Sequence, residues 1–332
     1  MFDVTLMAFL SVSGSMAFTQ LDYVADTRET VEMSAPMVER TEPSAQTETE
    51  TVVFMPPHPT ERNNQLSPLI RARDVMDIEK HPVTSFAKMF ILDDAGERTE
   101  SACTAQFVAS DILITAAHCV FSPGSKTYNS GFEISIRYDD GESPVEPAPV
   151  IRAWVLNEAI SDFNTTDLEA CDDIALLQIG GNTEKNNSWL GMASVNNDWF
   201  GENMVHNFSY PHRSGAAKLT EMRNQQLTAN LPADRRDAII AALDKKIEQF
   251  SANEPQFSQS DLYYQFGNTD SVADQYFTFN QSYSLGGRSG SAYIDQAGHI
   301  IGLVSRNVDN KATICRLTPD MIGSISTIVQ MR

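Results

Sequence analysis

Positive charge is scarce in this sequence: 24 lysines and arginines stand against 44 aspartates and glutamates, a formal net charge of −20. Phosphate binding needs clustered Lys and Arg, so no nucleic-acid partner is expected. The excess acid reads instead as solubility. Long apolar runs are missing too. No segment has the roughly 20 consecutive apolar residues of an integral membrane span. Cysteine is sparse, and the four residues, Cys103, Cys119, Cys171 and Cys315, are scattered. None stands in the close pairs that a structural zinc site needs, so neither metal nor cofactor is expected. An even count at such positions fits two disulfides and an oxidising location, secreted or periplasmic. No internal repeat is evident.

The N-terminus carries an apolar run, Val4 to Phe9, and then small residues with Ser15 and Ala17 in a small-x-small pattern. Residues 1–17 therefore read as a signal peptide cut between Ala17 and Phe18. A basic leader segment is lacking, since Asp3 stands there, and the alternative is an N-terminal strand. From Thr19 to Pro68 the chain is rich in Thr, Glu, Ser and Pro, with no sustained period. Such composition reads as loosely ordered, and residues 18–75 are expected to be an acidic propeptide or linker. The stretch "RARD", Arg71 to Asp74, reads either as a processing site or as a solvated loop. Sequons stand at Asn164, Asn186, Asn207 and Asn280 and matter only where the host glycosylates.

Past Pro82 short apolar runs recur between turn signals: "SFAKMFIL", "TAQFVAS", "DILITAA", "FEISIRY", "APVIRAWVL" and "DIALLQI". A second series holds "QYFTFN", "SAYID", "HIIGLVS" and "ATICRL". Their length and alternation predict strands of an antiparallel barrel or sandwich. Two helices are predicted as well. One spans about Asp234 to Phe250, with Ile240, Leu243, Ile247 and Phe250 on one stripe. The other follows Thr318, a candidate N-cap, with Pro319 as its first helical residue.

Three stretches carry chemistry. In "DILITAAHCV", His118 ends an apolar strand beside Cys119, and Cys103 lies sixteen positions upstream. A hairpin would bring these cysteines together, and a bridge there contributes about 3 kcal/mol. In "CDDIALLQI", an acidic pair precedes a strand. A carboxylate that orients a histidine must sit at a packed strand edge, which selects Asp173 and leaves Asp172 as the exposed member. In "SLGGRSGSAYI", Ser289 stands among glycines that permit a tight turn. Nucleophilic serine catalysis needs a serine, a base and an orienting carboxylate, with backbone N–H groups converging on the oxyanion.

"TAAHC", "DIALL" and "GRSGSA", in that order, resemble the trypsin/chymotrypsin-fold serine peptidases. The resemblance covers about residues 82–332. It implies an all-β fold of two packed antiparallel six-stranded barrels with a C-terminal helix. The peptidase domain would run over 76–332. Its first barrel would take about 82–190 and its second about 191–332, with a helical insertion at about 211–274. It implies a serine endopeptidase acting on polypeptide substrates, monomeric, with His118 as base, Asp173 as its orienting partner and Ser289 as nucleophile. The N–H groups of Gly287 and Ser289 would form the oxyanion hole. "GLVS", Gly302 to Ser305, resembles the strand that pairs with substrate and helps to hold the aspartate. Cys103–Cys119 matches a family disulfide, and Cys171–Cys315 follows by elimination.

The sequence departs from the family in several places. Trypsin-like zymogens carry Asp immediately before the nucleophile, where it pairs with the amine freed on activation. Here the residue is Arg288, expected to be an exposed loop substitution, and no "IVGG"-like start follows a basic residue. The variable residue before "SGS" looks more like the bacterial glutamyl endopeptidases. At the base of the primary pocket stands Tyr283, not Asp, followed by Ser284, where those enzymes use a small hydroxyl residue. Their pocket histidine falls at Val304. Arg306 reads either as a cation offered to an acidic substrate or as an exposed loop residue. The alternative function is a catalytically silent chymotrypsin-fold binding protein.

Overall fold

The structure, a computed structural model, describes residues 3–10, 18–24, 67, 69–122, 127–156, 171–181, 188–211, 232–251, 260–279, 285–308 and 311–331, with isolated positions between 220 and 227. In chain order the first strands are β1 (Asp3–Leu10), β2 (Phe18–Val24), β3 (Ile70–Arg71), β4 (Phe86–Leu92), β5 (Arg98–Phe107) and β6 (Ile112–Thr115). They continue with β7 (Phe121–Ser122), β8 (Thr127–Tyr128), β9 (Gly131–Ile136), β10 (Ala148–Leu156) and β11 (Ala175–Ile179). One sheet runs β1-β2-β10-β11-β6-β5-β4-β9 and closes through a β10–β9 pairing, so six antiparallel strands form a barrel. All six fall on the apolar runs read from sequence. Phe86, Met89, Phe107, Leu113, Ile114, Leu176 and Leu177, on these strands, are fully buried in the main core. Each such side chain stabilises the fold by roughly 1.5–3 kcal/mol.

The N-terminal segment departs from expectation. Asp3–Leu10 is a strand, paired antiparallel to β2. Phe18–Val24, expected within a loose linker, is a strand that extends the barrel's sheet alongside β10. It pairs with the end of β10 from Arg152 opposite Asp22 to Leu156 opposite Phe18. Leu21 and Tyr23 are buried, and Tyr23 packs edge-on against Phe132. Gln20 receives the Trp154 indole N–H at 3.1 Å, and Asp22 pairs with Arg152 at 2.6 Å. Cleavage between Ala17 and Phe18 would remove β1 and leave Phe18, the first residue of β2, as the amino terminus. Residues 25–66 lie outside the described residues.

"RARD" is no free loop. Arg71 ends β3, and Arg73 ion-pairs with Asp139 at 3.1 Å, with Asp140 at 3.3 Å and with Asp261.

The second unit contains β12 (Gly191–Met192), α1 (Asn197–Glu202), β13 (Val205–Ser209), α2 (Ala233–Ser251), β14 (Tyr263–Gly267), β15 (Ser271–Val272) and β16 (Tyr276–Thr278). It ends with β17 (Ala292–Ile294), β18 (His299–Val308), β19 (Lys311–Arg316) and α3 (Pro319–Gln330). Its sheet runs β15-β16-β19-β18-β17-β13-β14-β3. Among the described residues this sheet is a curled half-barrel rather than a closed ladder. Phe200, Phe277, Phe279 and Tyr293 form an aromatic core against it. Helix α3 begins as its sequence predicts: Thr318 accepts from the Met321 amide at 3.3 Å, and Pro319 stands in the first turn. Helix α2 lies mostly exposed, with Leu243 buried. Among the described residues no helix is long and apolar enough to cross a membrane.

Candidate active site

His118 sits in a single 3-10 turn, Ala117–Cys119, directly after β6. The turn is anchored from below by the Cys103–Cys119 disulfide, which ties it to β5. A second bridge, Cys171–Cys315, joins the approach to β11 to β19 across a sequence separation of 144. It fixes the segment that carries Asp172 and Asp173. The sulfurs of Cys103 and Cys119 and the His118 ring lie within 4.8 Å of one another. Those sulfurs are bonded to each other and offer no thiolate to a metal.

Asp173 is completely buried, and its carboxylate is fully engaged. Oδ1 accepts the backbone N–H of His118 at 2.8 Å, and Oδ2 lies 2.7 Å from His118 Nδ1. Ser305 donates its hydroxyl to the same Oδ2 at 2.5 Å. The imidazole is thereby gripped at one nitrogen and at its own backbone, and its side chain remains 24% exposed. Burial pulls the His118 pKa down. The charge and hydrogen bond of Asp173 outweigh burial, so the net shift is upward despite an opposing contribution from the Arg306 cation. Burial pushes Asp173 up, and His118 with its hydrogen bonds brings the carboxylate below its ordinary value.

Asp172, expected to be exposed, is buried at 6% exposure. It lies 3.7 Å from the Arg306 guanidinium, whose side chain is only 7% exposed. The structure thus gives Arg306 a partner inside the protein in place of the acidic substrate or the exposed loop position expected for it. The pair forms because both residues flank the Asp173–Ser305 contact, Asp172 one residue before and Arg306 one residue after. Replacing Arg306 with methionine removes a cation that opposes protonation of His118. The acid limb of any His118-dependent activity is therefore expected to move to higher pH, read as the midpoint of a kcat/KM profile. An unmoved or lowered midpoint would mean that Arg306 does not act on the imidazole.

The Ser289 turn is held from the first barrel. Thr104 donates its hydroxyl to Gly287 O at 2.7 Å, and its amide donates to Ser289 O at 2.9 Å. Gln106 donates to Gly290 O at 3.0 Å and accepts the Ala292 amide at 2.9 Å. Gly290, at φ 77, has no room for a side chain, because a Cβ would stand 2.6 Å from Thr104 O and 2.7 Å from the Ala116 amide. That close approach seats the turn against the residues leading to His118. Among the described residues no acceptor takes the N–H of Gly287 or of Ser289, and the Ser289 hydroxyl makes no hydrogen bond.

Fold and geometry together decide the architecture. The chain has the chymotrypsin-like fold. Three solved structures carry it: a Glu endopeptidase in complex with MPD, at 15% identity and TM-score 0.54, covering 80% of this chain and 97% of that one; a thermostable serine protease, AL20, from an extremophilic microorganism, at 12% and 0.52, covering 75% and 98%; and the protease Anisep from Arthrobacter nicotinovorans, at 14% and 0.50, covering 75% and 97%. No family model matches the sequence, and no curated protein matches it. At these identities the likeness is one of fold.

Within the chymotrypsin-like fold the remaining expected residues fall as follows. Ser305 is buried on β18. Val304 packs into the aromatic core of the second unit. Tyr283 and Ser284 lie outside the described residues, as do the sequons at Asn164, Asn186 and Asn280. Asn207 is fully buried, and its amide nitrogen is bonded to Ser291 and to Ala292 O, so the folded chain offers no acceptor there. Arg288 corrects its expectation: it is 1% exposed, among the largest fully buried side chains of the protein. Sequence reading missed Thr104, Gln106, Asn207 and Gln265 as supports of the turn. The available signal was polar residues at strand positions such as "TAQF" that local turn chemistry does not explain.

Proposed function

We propose that this chain is a serine endopeptidase that hydrolyses peptide bonds through an acyl-enzyme. His118 Nε2 takes the proton of Ser289 Oγ as that oxygen attacks the scissile carbonyl carbon. Asp173 holds Nδ1–H, which fixes the tautomer and stabilises the imidazolium. The oxyanion is received by the N–H groups of Gly287 and Ser289. His118 then delivers its proton to the departing amine. Water, activated by the same histidine, attacks the ester and returns Ser289. Tyr283, Ser284 and Ser305 would border the substrate. The two disulfides support an exported enzyme, secreted or periplasmic, and it acts as a monomer.

The observation that carries this reading is the fully buried Asp173, bonded at once to His118 Nδ1, the His118 amide and Ser305. A surface carboxylate beside a structural histidine would not be enclosed in this way, because burying a charge without partners is costly. A fluorophosphonate probe tests the reading: folded protein is expected to be labelled, with the adduct on Ser289 by peptide mapping. Folded protein that no such probe labels would be the silent binding protein instead.

A further inference from the structure

Arg288 has no part in the proton relay, yet its burial is complete and its place, between Gly287 and Ser289, is central. Its Nη2 donates to Gln265 Oε1 at 2.8 Å, to Asn207 Oδ1 at 3.0 Å and to the Tyr293 hydroxyl at 3.4 Å. These acceptors stand on β13, β14 and β17. Each amide is oriented by its other end. Asn207 Nδ2 donates to Ser291 Oγ at 3.0 Å and Ala292 O at 2.9 Å, which leaves its oxygen to Arg288. Gln265 Nε2 donates to Ser67 O at 2.9 Å, and its oxygen likewise faces Arg288. Ser67 is in turn locked to β14, its amide on Phe266 O at 2.7 Å and its hydroxyl under the Phe266 amide at 3.0 Å.

The two peptide planes that meet at Arg288 are also fixed. Gly287 O is held by Thr104, and Arg288 O accepts the Ser291 amide at 3.0 Å. In a trans peptide the C=O and the following N–H point opposite ways. Holding Arg288 O therefore aims the Ser289 N–H to the other side. A flip of either plane would take Gly287 O or Arg288 O off its donor, and the guanidinium on its three buried acceptors pins the Cα at which the two planes meet. Among the described residues, every one of these holds comes from within the folded domain and from the strap at Ser67.

We propose that Arg288 is a positioning residue that locks the Ser289 turn from inside the second unit. The intact chain is then competent without a freed amino terminus, and the strap through Ser67 is part of the site's support rather than a piece to be discarded. This rests on the serine peptidase reading.

The test compares the intact chain with the chain cut beyond Asp74, and with Arg288→Met, Arg288→Lys and Gln265→Met in the intact chain. The readouts are the fluorophosphonate labelling rate per folded molecule, kcat and KM on a peptide ester, and the pH profile. The intact wild type is expected to label. Arg288→Met should lower labelling and kcat about 10²-fold, the scale of losing an oxyanion donor. KM and the acid limb should stay near wild type, because the His118–Asp173 contact is untouched. Lysine should restore part of the rate, and Gln265→Met should lose rate in the same direction by less, which keeps the test open if Arg288→Met does not fold. Labelling that appears only after the cut, or an Arg288→Met variant that labels at the wild-type rate per folded molecule, would overturn the proposal and leave the peptidase reading standing. Labelling of no form would remove that reading, and this inference with it.

Discussion

Ser289→Ala is expected to abolish fluorophosphonate labelling and to lower kcat about 10⁶-fold, the scale measured when a serine peptidase loses its nucleophile. The loss should not be total. The N–H groups of Gly287 and Ser289 belong to the backbone and survive the substitution, and such an oxyanion site with substrate binding retains about 10³- to 10⁴-fold catalysis over water. The fold should be indifferent, since the Ser289 hydroxyl makes no hydrogen bond among the described residues and the turn is held through its carbonyls by Thr104 and Gln106. Melting temperature should therefore stay at the wild-type value while kcat falls about 10⁶-fold. Groups that act as a unit are not additive, so adding Asp173→Asn to Ser289→Ala should cost almost nothing more. A Ser289→Ala protein that keeps even a hundredth of the wild-type kcat would place the nucleophile elsewhere.

The strands that build the barrel were legible because the information is local. Runs such as "DILIT" and "IALLQI" are apolar at nearly every position, as strands buried on both faces must be. The strand β2 was not, because Thr19, Gln20 and Asp22 interrupt its apolar residues. Its polar side chains have partners only once β10 lies beside it, Gln20 on Trp154 and Asp22 on Arg152. The site divides in the same way. His118, Asp173 and Ser289 each stand in a short stretch whose chemistry reads on its own. The supports of the Ser289 turn come from far along the chain: Thr104 and Gly287 are 183 residues apart, Asn207 and Arg288 are 81 apart. No local pattern distinguishes a buried Gln or Asn that anchors a turn from one that faces water. Arg288 and Asp172 were misjudged for that reason. Charged residues are almost always exposed unless paired, and the partners of these two, acceptors for Arg288 and a guanidinium for Asp172, lie on other strands.

Asp173→Asn carries the second largest expected loss, about 10⁴-fold in kcat, as when the carboxylate of a Ser-His-Asp triad is replaced by its amide. Both orientations of the new side chain are unfavourable. With Nδ2 in the place of Oδ2, a donor faces the Ser305 hydroxyl and His118 Nδ1. The ring can then bond only by accepting at Nδ1, which puts its proton on Nε2 and leaves no lone pair for Ser289. With Nδ2 in the place of Oδ1, a donor meets the His118 amide N–H, now 2.8 Å from an acceptor. The charge is lost in either case. Burial then acts on His118 without its counterweight, and the imidazole pKa should fall, moving the acid limb of the residual activity to lower pH. This is the opposite direction to Arg306→Met. Asp172→Asn should behave differently. It weakens a buried pair with Arg306 and should lower the melting temperature, while Asp173 keeps its three hydrogen bonds and kcat stays within about tenfold of wild type, far from the loss of an orienting carboxylate. Equal kcat losses at the two positions would show that Asp173 does not orient His118.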